Sequence, residues 1–295
     1  MYKFKPILKT LVWGTENWIL SGVHGNESVV AEGPEAGRTL NDIYGGEFPL
    51  LIKFIDAHDD LSIQVHPDDE LAMARHRCNG KTEMWYVIRS DKGHLLSGFA
   101  KGITKEEYKA KVDDGTITDV LSRYDIKEGD VFFLPAGRIH AIGGGSHIAE
   151  IQQTSDITYR IYDYKRPGLD GKPRELHTEL AVDAIDWSLQ SDYRTHYEHK
   201  KNAGVEIVKC PYFTTDLYEL DEEVRVNLSE NSPFLVVICL EGEGSVNGTG
   251  IKAGEAALIM KDEKEAVFSP SGTMKLLTSR ILNQIKTRKA TNGTI

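Results

Sequence analysis

From residue 204 onward the chain is a succession of short apolar runs, and no other feature limits its fold more. Residues 205–209, 214–220, 224–228, 233–240, 244–246, 255–259 and 274–277 read as strands separated by regular turn signals. That spacing is the pattern of an antiparallel sandwich or barrel. The first half carries the same signal with interruptions. Residues 48–55 form a β-rich run, 61–65 another that stops at His66-Pro67, and 83–88 a third that Asp91-Lys92-Gly93 turns back into 94–98. Strand patterns return at 125–134, 148–153 and 158–164, and a loop rich in Lys, Arg, Pro and Gly follows over 165–177.

Helices are few. Asp68 to Arg75 has acidic residues in its first turn, which complements the helix dipole. Thr104 with Glu107 three residues on is a capping box and starts a helix over 104–111. Residues 118–124 read as a second helix, so the stretch near 104–124 is a helical insertion in a β pattern. Residues 178–185 form one more short helix. The polar stretch 188–202 reads as a boundary, which divides the chain into domains 1–195 and 196–295. From Lys286 on the sequence reads as a frayed polar tail.

The halves also resemble each other. Residues 83–93 can be laid over 234–244, and 129–135 over 254–260. In that register Phe234 stands at the place of Glu83, and Glu265 at the place of His140. Chemistry is therefore expected in the first half only.

That chemistry reads as a metal site. Gln64 and His66 alternate as a strand places them, on one face. Glu83 opens the 83–88 run. Gly129-x5-Pro135-x-Gly137-x-x-His140 sets a turn between apolar strands, and His140 sits where that turn feeds the next strand. Two imidazoles, a carboxylate and an amide oxygen suit one divalent ion such as Zn²⁺, Mn²⁺, Fe²⁺ or Co²⁺. Mixed nitrogen and oxygen ligands leave room for water or substrate, as catalytic sites need. His196-Tyr-Glu-His199 has a usable interval but lies in the polar boundary and reads as solvated surface.

Charge and composition narrow the partners. A net charge of −10 argues against nucleic acid, whose phosphates need clustered Lys and Arg. A small anionic substrate needs only a few local cations. No run of about 18 apolar residues exists, so no membrane span is expected. Cys78, Cys210 and Cys239 are scattered and form no Cys-x-x-Cys pair, as in a reducing, cytoplasmic setting.

The motifs resemble a known family. The Gly-x5-Pro-x-Gly-x-x-His segment resembles the second cupin motif. Gln64-Val-His-Pro-Asp-Asp69, followed by Gly80-Lys-Thr-Glu-Met-Trp-Tyr-Val-Ile88, resembles the type I mannose-6-phosphate isomerases. Glu150-Ile-Gln-Gln-Thr-Ser-Asp-Ile-Thr-Tyr-Arg160 is similar to that family's segment around its active-site arginine, and Trp13-Gly14 fits it too. The first metal position of cupins is more often His, so Gln64 sharpens the resemblance. With no room for an extra helical domain, the chain looks like the compact bacterial form.

The resemblance implies a mainly β fold of two cupin-type antiparallel β-sandwich or jelly-roll barrels, with the helical insertion in the first. It implies reversible conversion of mannose 6-phosphate and fructose 6-phosphate through a cis-enediol. One Zn²⁺ per chain, or another divalent transition metal, is the implied cofactor. A small sugar phosphate is the partner, with neither nucleic acid nor membrane, and the chain acts as a monomer or homodimer. The family's active-site arginine falls on Arg160. Lys81, two residues before Glu83, is a candidate base or phosphate contact. Glu150 and Asp156 are candidates to assist ring opening or to hold the arginine. Trp13 and Lys53 join Lys81 and Arg160 as substrate-binding candidates. Competing readings are another cupin sugar-phosphate isomerase or epimerase, a metal-dependent cupin dioxygenase, and a sugar-phosphate-binding regulator without turnover.

Overall fold

The computed structural model describes residues 1–228 and 232–281, so the expected tail from Lys286 lies outside the described residues. The chain forms two compact units, Lys3–His196, and Tyr197–Ile295 together with Met1–Tyr2.

Up to residue 196 the chain forms, in order, β1 (Tyr2–Lys5), β2 (Ile7–Leu11), β3 (Gly14–Ser21), β4 (Val29–Val30), α1 (Leu40–Tyr44), β5 (Leu50–Ala57), β6 (Ile63–Val65), α2 (Asp69–His76), β7 (Glu83–Ser90), β8 (His94–Phe99), α3 (Lys105–Asp114), β9 (Leu121–Asp125), β10 (Val131–Leu134), β11 (His140–Ile142), β12 (Ser146–Gln153), β13 (Tyr159–Tyr162), α4 (Thr178–Ala184) and β14 (Arg194–Thr195). A seven-stranded antiparallel sheet runs β14-β10-β7-β12-β5-β3-β2, and a five-stranded one runs β13-β6-β11-β8-β9. Side chains alternate across each strand, so one face of each sheet can be apolar. Ile55, Trp85, Val87, Phe132 and Ile148 from the larger sheet meet Leu95 and Ile142 from the smaller in one cluster. On the smaller sheet the opposite positions, Ile63, Val65, Leu96 and Ala141, pack under Tyr108 and Val112 of α3 and Ala181 of α4. Each fully buried large apolar side chain contributes roughly 1.5–3 kcal/mol. The helices are thus held by packing as well as by caps, and the Thr104–Glu107 capping box is present as its spacing predicts.

Two readings need correction. The second helix expected at 118–124 is a 3₁₀ turn over Ile117–Val120 that runs straight into β9. Pairing of β9 with β8 overrides the weak helical spacing of its apolar residues. The single strand expected at 125–134 is the end of β9, a turn, and β10.

The C-terminal unit contains β15 (Val205–Lys209), β16 (Thr214–Leu220), β17 (Val224–Asn227), β18 (Phe234–Val246), β19 (Thr249–Lys252), β20 (Ala256–Met260) and β21 (Glu265–Arg280). Its strands run β15-β16-β21-β18-β20, with β17 on β21 and β19 on β18. The runs 233–240 and 244–246 belong to one strand, β18, and 274–277 is the centre of β21. Register shifts near Gly242 and Gly244 let β18 bend without ending. The β18–β20 pairing sets Phe234 against Met260, as β7–β10 sets Glu83 against Leu134. The sequence overlay places Phe234 one residue away, against Ile259.

Candidate active site

Gln64 on β6 and His140 on β11 are direct cross-strand partners, so both project to the same side of the smaller sheet. His66 follows β6, and Glu83 opens β7 of the larger sheet. Among the described residues, His66, Glu83 and His140 form the one group of His, Cys, Asp or Glu side chains whose ligand atoms lie within 4.8 Å of one another. His66 Nε2 stands 3.5 Å from Glu83 Oε2, and His140 Nε2 stands 3.4 Å from Glu83 Oε1. The Gln64 amide nitrogen lies 3.4 Å from His140 Nε2, and a half turn of the amide presents its oxygen instead.

Backbone hydrogen bonds hold the motif segments together. Gly137 N–H donates to His66 O at 2.8 Å, and Lys81 N–H donates to Pro67 O at 3.1 Å. Gly137 has φ 91°, a left-handed backbone that explains the glycine in the His140 motif. Gly80 is needed for space, because a Cβ there would lie 2.5 Å from the backbone between Asp68 and Asp69.

Protonation is prepared for a cation. His66 Nδ1 donates to Ile157 O at 2.9 Å and His140 Nδ1 to Arg138 O at 2.7 Å. Each ring therefore keeps an Nε2 lone pair facing Glu83. Burial, and then the Lys81 ammonium, push His66 well below its usual value and His140 down to about 3. Burial, and then Glu150, push Glu83 up to about 7, against the pull of Lys81. Neither Glu83 oxygen has an aligned hydrogen-bond donor. The Lys81 ammonium stands 2.5 Å from Glu83 Oε2 and 2.9 Å from His66 Nε2, close but poorly aligned with the carboxylate. A buried carboxylate without aligned donors, two neutral imidazoles and an ammonium drawn among them make a centre whose donor set fits a divalent ion.

Beside this centre lies a cavity of about 230 Å³. Trp13, Lys53, Gln64, Lys81, Glu150, Asp156 and Arg160 all line it. His66, Glu83 and His140 do not line it; each is buried, and Lys81 and Gln64, which do line it, touch them. Lys53 sits on central strand β5, only 5% exposed, which rules out an edge lysine reaching for solvent. Its ammonium donates to Glu150 Oε1 at 2.9 Å and lies 3.7 Å from Glu16. Burial opposes its charge, but Glu150 and Glu16 outweigh that and raise its pKa. Burial likewise opposes the Glu150 charge, but Lys53 and Lys81 outweigh it and hold that carboxyl at about 2. Arg160 donates from Nη1 to Glu175 O at 2.9 Å, while its buried Nε has no hydrogen-bond partner. Asp156 is exposed at the rim.

Sequence reasoning missed Lys9, Glu16, Trp18 and Arg174, which also line the cavity. Lys9 Nζ stands 3.3 Å over the Trp18 ring, whose Nε1 donates to Glu16 at 2.6 Å. Arg174, in the 165–177 loop, pairs with Asp163. The signal for Lys9, Glu16 and Trp18 is their shared β2–β3 register, Ile7 opposite Trp18 and Lys9 opposite Glu16, which period-2 reading of one strand does not reveal. His196 and His199 pair with separate carboxylates, Asp192 and Glu219, as exposed groups.

Fold and site define a cupin-type β protein with a candidate metal centre beside a polar cavity. The family model for the catalytic domain of type I phosphomannose isomerase matches residues 15–98. The mannose-6-phosphate isomerase ManA of Bacillus subtilis is 34% identical over 271 residues, covering 82% of this chain and 85% of the relative. The mannose-6-phosphate isomerase of Streptococcus mutans is 33% identical over 243 residues, covering 78% and 76%. The crystal structure of the Bacillus subtilis mannose 6-phosphate isomerase superposes with a TM-score of 0.85 at 29% identity, covering 95% of this chain and 99% of that one. The chain belongs to the mannose-6-phosphate isomerase family.

Proposed function

We propose that this protein interconverts mannose 6-phosphate and fructose 6-phosphate, with the chemistry confined to the N-terminal unit. The observation that carries the reading is the convergence of Lys81, Glu150 and Arg160 on one cavity beside His66, Glu83 and His140. The cavity lining has five cationic side chains, Lys9, Lys53, Lys81, Arg160 and Arg174, against three carboxylates, Glu16, Glu150 and Asp156. In a chain of net charge −10, that local excess favours an anionic sugar phosphate.

Gln64, His66, Glu83 and His140 would hold one Zn²⁺, which when bound supplies a positive charge that polarises substrate oxygens. The remaining work falls to the chain's own groups. Glu150, ionised at neutral pH, accepts the proton that moves between C1 and C2. A substrate that engages Lys81 withdraws one of the charges holding Glu150 low, which raises its basicity at that moment. Arg160, which lines the cavity, turns its planar guanidinium donors on the enediolate. Asp156 at the rim assists ring opening. Trp13 and Trp18 wall the sugar, and Lys53 keeps Glu150 in place. Three free cysteines fit a cytoplasmic setting, and among the described residues no helix is long and apolar enough to cross a membrane. We expect a monomer or homodimer.

A coupled assay of the Zn²⁺-loaded protein tests this reading. Mannose 6-phosphate should give fructose 6-phosphate, with the reverse reaction also measurable. Absence of turnover in both directions with Zn²⁺, Mn²⁺ or Co²⁺ supplied would sink it.

A further inference from the structure

Glu150 is the centre of a row that crosses three strands. Its direct partner on β5 is Lys53, and its direct partner on β7 is Trp85. Cross-strand partners project to the same face of a sheet, so both reach the carboxylate from its flanks. Lys53 Nζ donates to Oε1 and Trp85 Nε1 to Oε2, each at 2.9 Å. The two anchors differ in kind. Lys53 is a charge shared with Glu16, 3.7 Å away, and it lines the cavity where an anionic substrate competes for it. Trp85 offers a single neutral donor on a rigid ring that is 1% exposed and fixed in the apolar core. The same ring stands edge-on to the His140 imidazole, with centroids 5.2 Å apart at 86°. One side chain therefore touches both a candidate metal ligand and the candidate proton-transfer group.

We propose that Trp85 is a positioning residue for the isomerisation, locking the Glu150 carboxylate at a fixed place relative to His140. This rests on the reading of Glu150 as the proton-transfer group. Without the indole N–H, Oε2 loses its donor in a buried setting and the carboxylate turns about Oε1 toward Lys53 and Lys81. The loss falls on the chemical step, because the indole N–H is bonded to Glu150 and Trp85 does not line the cavity.

Trp85→Phe keeps a ring edge against His140 and removes only the donor. We expect kcat to fall roughly 10- to 100-fold, the range for lost partners that orient a site, with KM and bound metal unchanged. Incorporation of benzothienylalanine at position 85, which replaces the N–H by sulfur in an isosteric ring, should give the same loss if the Phe variant folds poorly. The discriminating measurement is a double-mutant cycle with Glu150→Gln. Trp85→Phe should cost little further in the Glu150→Gln background. An equal factor in both backgrounds, or a loss of bound metal that accounts for the drop, overturns the proposal and leaves the Glu150 reading intact. A Glu150→Gln variant with wild-type kcat removes that reading and the proposal together.

Discussion

Burial sets the protonation of His66, Glu83 and His140 before any ion arrives, and this gives the metal-free chain a signed response to acid. Both imidazoles stay neutral far below 6.5 in the folded chain, while the unfolded chain protonates them there. Glu83 acts oppositely, keeping a proton up to about 7 that the unfolded chain releases above 4.5. Unfolding between about pH 6.5 and about 4.5 thus takes up two protons and gives back one, so stability falls as pH falls. Below 4.5 the ionised Glu150, held at about 2, adds to the loss. Thermal melts of chelator-treated protein should show a melting temperature that drops steadily from about pH 6.5 toward acid. A rise over that interval contradicts the assigned burial. At Arg160, replacement by Ala should lower kcat by roughly 10²- to 10³-fold, as for other lost oxyanion donors, while bound metal holds. Unchanged kinetics would move the role elsewhere. The buried cluster of His66, Glu83 and His140 was legible in sequence as a candidate site because His-Pro and Gly-x5-Pro-x-Gly-x-x-His join chemistry to turn geometry. Lys9, Glu16 and Trp18 were not, because on one strand they look like any half-exposed polar and aromatic alternation. Their meaning appears only when β2 is set against β3.

Element by element, legibility followed the strength of local signals. The Thr104–Glu107 box and the acidic first turn of α2 announce helices, and both occur. The 118–124 reading failed because Ile117, Val120 and Leu121 have helical spacing but are needed to cover and extend the smaller sheet. The runs 233–240 and 244–246 read as separate strands and 274–277 as a short one, yet β18 runs unbroken through Gly242 and Gly244 with shifted register, and β21 extends over Glu265–Arg280. The turn that delivers Lys81 and Glu83 depends on Gly80. Its N–H donates to Asp69 Oδ1 at 2.9 Å, and its Cα packs against the start of α2 too closely for a Cβ. Gly80→Ala should cost about 1–3 kcal/mol, as overpacking does, and should also lower kcat by shifting Lys81. Urea unfolding and steady-state kinetics check the two effects. A variant unchanged in both would show that the turn adapts freely.

For the whole molecule, the described residues hold one cluster fit for a metal, and it lies in the N-terminal unit. In the C-terminal unit the β18–β20 pairing repeats the β7–β10 register to within one residue but sets Phe234 where β7 has Glu83. A sheet tolerates that exchange because strand pairing is made by the backbone, whereas a metal centre does not. The central claim is that His66, Glu83 and His140 together hold the ion that the isomerase reaction requires. The direct measurement is metal content beside mannose 6-phosphate turnover for wild type and His140→Ala, with circular dichroism showing both folded. We predict one bound metal per chain and measurable turnover for wild type, and loss of both in the variant. A folded His140→Ala protein that keeps its metal and its turnover would contradict the account.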